Sequence, residues 1–303
     1  MLIETLLFLI GLGTLLLGAD RLVDAAVALA KDYGVSTFFI GVTVISIGTS
    51  IPEIAVTIVS AMNSAGDIVV GNIIGSETTQ ITLAVGIVAL IAPITSKRKD
   101  VMMYGGTMVA AMVIMLFAIH SGRITVFESL FMMLTYVFFL YFMYATDGGE
   151  EIAEEAEKEV MNHRYFWLVV GLVAVPIGAH LMVESGIVIA EQLGVPQFLI
   201  GQLTGIATTL PEIAVAGLAA YQGTAGVSAG SLLGSNITDP LFSIGVAGFV
   251  ADVIIQNQQA VMSAGIYMVA VSAFVVGIWS WREGIDRPTA LLCILLFLPS
   301  FFI

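Results

Sequence analysis

The chain has 303 residues, of which 58% are hydrophobic and only 11% charged, with a mean hydropathy of +1.02. Soluble domains carry about 25% charged residues, so this composition excludes a soluble globular protein and identifies an integral membrane protein. A net charge of −13, from 23 acids against 10 bases, argues against nucleic acid as a partner, and the single cysteine, Cys293, excludes a disulfide within the chain.

Apolar runs predict ten membrane spans, at about 3–30, 36–62, 67–93, 101–119, 125–145, 164–192, 196–221, 225–250, 258–281 and 286–303. Backbone polar groups at membrane depth must be satisfied internally, so the spans are expected to be helices. The first run carries Glu4, lacks a basic start and continues past Asp20, so it reads as a retained span and not a cleaved signal. Asp20 and Asp24 share one of its faces. The second span contains Gly-Thr-Ser-Ile-Pro-Glu-Ile at 48–54, and the third contains Gly71, Gly75, Ser76 and Gln80. After the fifth span comes an acidic segment with seven carboxylates between Asp147 and Glu159, read as a solvated linker. The sixth span carries His180, Glu184 and Glu191. The seventh contains Ala-Thr-Thr-Leu-Pro-Glu-Ile at 207–213, and the eighth contains Gly230, Gly234, Ser235 and Asp239. The expected division is 1–146 as a first five-helix repeat, 147–163 as an acidic linker and 164–303 as a second five-helix repeat.

The repeat is visible residue by residue. At an offset of 159, Thr49 falls on Thr208, Pro52-Glu53-Ile54 on Pro211-Glu212-Ile213, Gly71 on Gly230, Gly75-Ser76 on Gly234-Ser235 and Gln80 on Asp239. Upstream, at an offset of 160, Gly18 meets Gly178, Asp20 meets His180 and Gly41 meets Gly201. Five spans separate equivalent positions, so the two halves must cross in opposite senses. Inverted repeats of this kind characterise secondary transporters, with a site near the midplane. Lysines and arginines set the orientation. Eight fall on one face and Arg123 alone on the other, with Arg21 inside the first span left out. That places both termini outside and the acidic linker in the cytoplasm.

Glu53 and Glu212 sit where a charge costs ~2.5–3.5 kcal/mol on insertion scales. Each follows a proline, which removes a helical hydrogen bond and frees carbonyls in the preceding turn, near Ser46–Thr49 and Gly205–Thr208. The hydroxyls of Thr49, Ser50, Thr208 and Thr209 stand alongside. Ser76 with Gln80, and Ser235 with Asp239, are four residues apart and share a helical face. Carbonyl, hydroxyl and carboxylate oxygens suit hard cations such as Ca²⁺ or Na⁺, and no thiol or paired imidazole favours zinc or copper. Glu77 lies about 100° round the helix from Ser76, facing either a neighbouring helix or the cavity edge. The glycines at 71, 75, 230 and 234 have the four-residue spacing that lets helices approach closely.

The paired segments resemble the alpha repeats of the cation/calcium exchanger superfamily, most closely its sodium/calcium exchangers. The resemblance covers 41–81 and 201–240 closely and the ten-span layout generally. It implies an all-α membrane protein of two inverted five-helix repeats with broken second and seventh helices. It further implies Ca²⁺ between Glu53 and Glu212, aided by carbonyls of Thr49 and Thr208. One sodium site would use Ser50, Glu53, Ser235 and the Ser46 carbonyl. Another would use Thr208, Thr209, Glu212, Ser76 and the Gly205 carbonyl, with Gln80 and Asp239 facing the centre. The first and sixth spans resemble a gating pair. Four departures from the pattern concern the coupling ion: Gln80 replaces the usual Asn or Asp, Ala207 the usual Gly, Thr209 the usual Ser, and Glu77 a small or amide residue.

The function expected is therefore Ca²⁺/Na⁺ antiport by alternating access, by a monomer in the cell membrane with no cofactor. Proton/Ca²⁺ exchange is the alternative. A cation channel and an intramembrane enzyme are more distant, since no HExxH motif, serine dyad or Walker loop is present.

Overall fold

The computed structural model describes residues 2–147, 162–194 and 208–302. The acidic run at 148–161 and the first half of the seventh predicted span, including Gly205, lie outside the described residues. The chain is helical almost throughout. Helix α1 is Leu2–Tyr33. The second predicted span is a bent pair, α2 (Thr37–Thr49) and α3 (Ile51–Met62). Helix α4 is Gly66–Ile91, α5 is Arg98–Ile119, α6 is Val126–Thr146 and α7 is Arg164–Gln192. Helix α8 is Leu210–Tyr221. Helix α9 runs through Ala225–Thr238, a π turn at Asp239–Ser243 and Ile244–Val250. Helices α10 (Gln258–Arg282) and α11 (Arg287–Phe297) complete the fold. Six of the described helices are long and apolar enough to cross a membrane singly, and the bent pair adds a seventh span.

Local chemistry sets the helix ends. Ser36 caps α2 by accepting from the Phe39 N–H at 3.0 Å. Thr125 and Glu128 form a reciprocal capping box at the start of α6. Asp286 caps α11, accepting from the Thr289 hydroxyl at 2.5 Å and its N–H at 3.1 Å.

Two observations show that the halves run in opposite senses. First, α1 and its counterpart α7 pack antiparallel: a Cβ on Gly11 would fall 2.6 Å from the Met182 nitrogen, and one on Gly178 would fall 2.4 Å from the Leu15 nitrogen. Glycine is required on both helices because backbone meets backbone there. Second, short strands pair crosswise. Strand β1 (Ile94–Thr95) pairs antiparallel with β4 (Gly284–Ile285), and β2 (Arg123–Ile124) with β3 (Val253–Ile254). One helix separates β1 from β2, and one separates β3 from β4. The repeat equivalents β1 and β3 therefore lie at opposite ends of the bundle.

The main core gathers α4, α5, α9 and α10 around Ile73, Met108, Met112, Leu233 and Trp279. A second, smaller core joins α1 and α7 to α8 through Leu15, Leu22, Val175 and Val215. Outward residues such as Leu6, Phe131, Leu134 and Phe138 are exposed and apolar, as a lipid-facing surface requires. On that outer surface Arg21 lies over the Trp167 ring at 5.2 Å.

Candidate functional site

The bend between α2 and α3 is 46°. It falls at Ser50, whose backbone leaves helical geometry (φ −77°, ψ 0°), and it puts Pro52 in the first turn of α3, where a missing N–H costs nothing. The second half repeats this geometry. Thr209 has φ −87° and ψ 2°, and Pro211 stands in the first turn of α8. One correction concerns the carbonyls. Freed carbonyls are expected over Ser46–Thr49, and of these the Ser46 carbonyl is not free, because it accepts the Ser50 N–H at 2.9 Å. The helical bond closes there because the break falls at Ser50, the residue that donates it.

Both glutamates lie in the first turn of a helix, Glu53 in α3 and Glu212 in α8, where the macrodipole favours negative charge. Both are fully buried. None of their four carboxylate oxygens makes a well-formed hydrogen bond among the described residues, the Thr49 hydroxyl being the nearest polar side chain that acts on Glu212. A buried ion left without a partner costs several kcal/mol, so such an arrangement needs a cation or a proton to be stable.

Local and helix-to-helix hydrogen bonds place the expected site hydroxyls. Thr49 Oγ1 is 3.4 Å from Ser235 Oγ, linking α2 to α9. Ser50 and Thr209 are fully buried and Thr208 is half-buried. Ser46 Oγ donates to the Val42 carbonyl and lies 3.4 Å from Thr238 Oγ1. Ser76 Oγ donates to the Ile73 carbonyl at 3.1 Å, and Ser235 Oγ to that of Ser231 at 3.3 Å.

Gln80 and Asp239 each open a π turn, at Gln80–Ala84 and Asp239–Ser243. Such turns loosen the helical ladder and cluster at functional sites. Asp239 is fully buried, and its Oδ1 accepts from Ser243 Oγ at 2.8 Å; the Ser50 hydroxyl and the Gln80 amide are its other polar neighbours. Glu77 turns inward: it is fully buried and neither of its oxygens is paired. No three carboxylates, imidazoles or thiols converge on one point among the described residues. Any cation here is shared between carboxylates and neutral oxygens, which suits a cargo ion better than a resident metal.

Sequence reasoning missed Asn236. It is fully buried, and its Nδ2 donates to Gln80 Oε1 at 2.7 Å. Its signal was present, since it is the repeat counterpart of Glu77 and lies one turn before Asp239. Thr238 was also missed; its hydroxyl stands 3.2 Å from Tyr136 OH.

The close packing expected of four glycines holds for two. A Cβ on Gly230 would meet the Phe38 carbonyl at 2.3 Å, and one on Gly234 would meet Val42 Cα at 2.5 Å. For Gly71 and Gly75 no described residue lies within 4 Å of an added Cβ. Their counterpart partners, around Gly201, lie outside the described residues. The other acids stand apart from the cavity. Asp20 accepts from Gln222 Nε2 at 2.8 Å, and His180 lies 3.3 Å from Glu184 on the exposed face of α7.

Comparison with known proteins agrees with this geometry. The family model described as "Sodium/calcium exchanger protein" matches residues 3–145 and 163–303. The chain is 30% identical to the sodium/calcium exchanger MaX1 of Methanosarcina acetivorans, over 81% of this chain and 83% of that one. It is 28% identical to the inner membrane protein YrbG of Escherichia coli, over 82% and 81% of the two chains. The solved sodium–calcium exchanger NCX_Mj superposes with a TM-score of 0.82 at 26% identity, covering 100% of this chain and 99% of that one. The family match spans both inverted halves and the buried glutamates, so this chain belongs to the sodium/calcium exchanger protein family of the cation/calcium exchanger superfamily: a multi-pass membrane transporter of the cation/Ca²⁺ exchange class, not an enzyme.

Proposed function

We propose that the protein exchanges Ca²⁺ for Na⁺ across the membrane by alternating access. The observation that carries this reading is the pair of fully buried glutamates, at equivalent positions of two inverted halves, with none of their four oxygens in a well-formed hydrogen bond. Ca²⁺ binds between Glu53 and Glu212, with the carbonyls of Thr49 and Thr208 as co-ligands. Sodium occupies flanking sites. One is formed by Ser46, Ser50, Glu53 and Ser235, and the other by Ser76, Gly205, Thr208, Thr209 and Glu212. Gln80 and Asp239 line the space between.

Coupling follows from charge. Like carboxylates close together repel in a dry cavity, so a cavity without cations resists conversion between its two open forms. Ca²⁺ or sodium neutralises the pair and permits the conversion. The two ions compete for the same oxygens, so each turn carries one or the other and no nucleotide is needed. Residues 1–146 and 164–303 act as the two repeats, joined by the acidic linker 147–163. The termini lie outside and the linker in the cytoplasm, following the lysine and arginine asymmetry, and the monomer is the working unit.

One specific observation favours proton coupling as the second reading: Glu77 and Asp239 are additional fully buried acids on α4 and α9. Purified protein in proteoliposomes separates the two. An outward sodium gradient at equal pH on both sides should drive accumulation of labelled Ca²⁺. Accumulation driven by a pH gradient without sodium would replace sodium with protons.

A further inference from the structure

Hydroxyls from three different helices form a chain that ends on the proposed ion site. Tyr136 of α6 is buried, and its OH stands 3.2 Å from Thr238 Oγ1 of α9. Thr238 Oγ1 in turn stands 3.4 Å from Ser46 Oγ of α2. Each hydroxyl has one proton to give. Thr238 donates to the Gly234 carbonyl at 3.0 Å and Ser46 to the Val42 carbonyl, so Tyr136 is the donor to Thr238. The phenol ring is seated as well, 5.4 Å from that of Phe242, one turn beyond Thr238 on α9. The α9 backbone presses on the same turn of α2, where a Cβ on Gly234 would come 2.9 Å from Ser46 Cβ. The other half lacks the residues for such a chain. At the offset of 159, Ser46 matches Gly205 and Tyr136 matches Leu295, which leaves Thr79, the counterpart of Thr238, with neither hydroxyl.

We propose that Tyr136 is a positioning residue for sodium: through Thr238 it fixes Ser46, and so sets the sodium affinity of the flanking site formed by Ser46, Ser50, Glu53 and Ser235. This rests on the sodium-coupled reading above. Tyr136 is not a ligand in this scheme; its hydroxyl holds α9 against α2 at the turn that carries Ser46. Ser46 passes the effect on because it is tied at both ends. Its hydroxyl lies in the chain, and its carbonyl, the group offered to sodium, already accepts the Ser50 N–H at 2.9 Å and the Thr49 hydroxyl at 3.3 Å. A shift of this turn therefore redirects the carbonyl. The Ca²⁺ co-ligand Thr49 has its own tie to α9, through Ser235 at 3.4 Å, so the chain acts on sodium more than on Ca²⁺. The counterpart site around Gly205 has no such support, which makes the two flanking sodium sites unequal.

The test reads half-saturation by sodium and by Ca²⁺ from labelled-Ca²⁺ exchange in proteoliposomes at fixed pH. Tyr136→Phe keeps the ring against Phe242 and removes only the hydroxyl. It should raise half-saturation by sodium about fivefold, equivalent to roughly 1 kcal/mol, and leave that by Ca²⁺ within about twofold. Thr238→Val removes the middle hydroxyl and should raise the sodium value at least as far. The double variant should match Thr238→Val alone, because residues in one network do not add. Thr238→Ser keeps the hydroxyl and should behave as wild type, which guards against a site that merely tolerates no change. An unchanged sodium half-saturation in Tyr136→Phe would overturn the proposal. Equal shifts for the two ions would overturn it too, since the hydroxyl would then serve the bundle as a whole. Additive effects in the double variant would also overturn it, since Tyr136 would then act by a route other than Thr238. Wild-type exchange indifferent to sodium would remove the coupling and this role together. Wild-type sodium coupling with an unchanged Tyr136→Phe would remove this role alone.

Discussion

The face of α9 against α2 and the equivalent face of α4 come from the same duplicated sequence, yet they have diverged in charge. On α9, Gly230 and Gly234 bring the helix backbone against α2, where an added Cβ would sit 2.3 Å and 2.5 Å from backbone atoms. On α4, Gly71 and Gly75 keep the same spacing, and the repeat counterpart of α2 lies outside the described residues. The acids differ, since Glu77 and Asp239 sit at non-equivalent repeat positions. A duplication thus supplies two copies of a scaffold, and divergence then assigns the copies different charge. The Pro-Glu turns at Pro52-Glu53 and Pro211-Glu212 keep both geometry and chemistry in common.

That shared turn gives the largest expected effect. Glu53→Gln and Glu212→Gln should each lower Ca²⁺ transport at least about a hundredfold, roughly 2.7 kcal/mol, with the protein still inserted. If one variant transports normally, the two turns are not functionally equivalent. The glycine contrast comes next. Gly234→Ala should cost about 1–3 kcal/mol through overpacking, read as a lower unfolding temperature in detergent. Gly75→Ala should be neutral or stabilising by about 0.5–1 kcal/mol, because alanine suits a helix better than glycine. Equal losses in both would mean that α4 has a close helix contact of the same kind.

Smaller effects probe the neighbours. Asn236→Ala removes the 2.7 Å bond to Gln80 and should cost about 1 kcal/mol, visible as a lower unfolding temperature. A cost as large as that of Gly234→Ala would mean that the amide bridge holds the helices together. The smallest effect lies outside the spans. Hydrogen bonds from the Thr289 hydroxyl and N–H hold the Asp286 carboxyl below its ordinary value. Its contribution to stability is present above the unfolded-state value and disappears as pH falls through the folded one. Asp286→Ala should therefore lower the unfolding temperature slightly at neutral pH and not at all once the wild-type carboxyl is protonated. A loss that persists in acid would assign the effect to packing.

Much of this was readable in the residues, for physical reasons that can be named. Glu53 and Glu212 stand out because a carboxylate in an apolar run is costly, and the prolines beside them mark the breaks at Ser50 and Thr209. The inverted sense follows from counting spans between equivalents, and the crossed pairing of β1 with β4 and β2 with β3 bears it out. The inward turn of Glu77 was not readable. Helices in this bundle are apolar on nearly every side, so periodicity does not say which face meets the cavity. The π turn at Gln80–Ala84 has no proline to announce it, and it shifts the register of everything after residue 79. Asn236 went unread because an amide in a span carries less cost, and so less signal, than an acid. Its partner Gln80 lies 156 positions away, a contact that only the fold reveals.

The central claim is sodium-coupled exchange at Glu53 and Glu212. Its most direct measurement is Ca²⁺ accumulation in proteoliposomes under an outward sodium gradient, with pH clamped equal on both sides and Glu53→Gln run in parallel. The account predicts accumulation that requires sodium, collapses when the gradient is dissipated and is absent from the variant. Accumulation that persists without sodium, or that survives in Glu53→Gln, would contradict it.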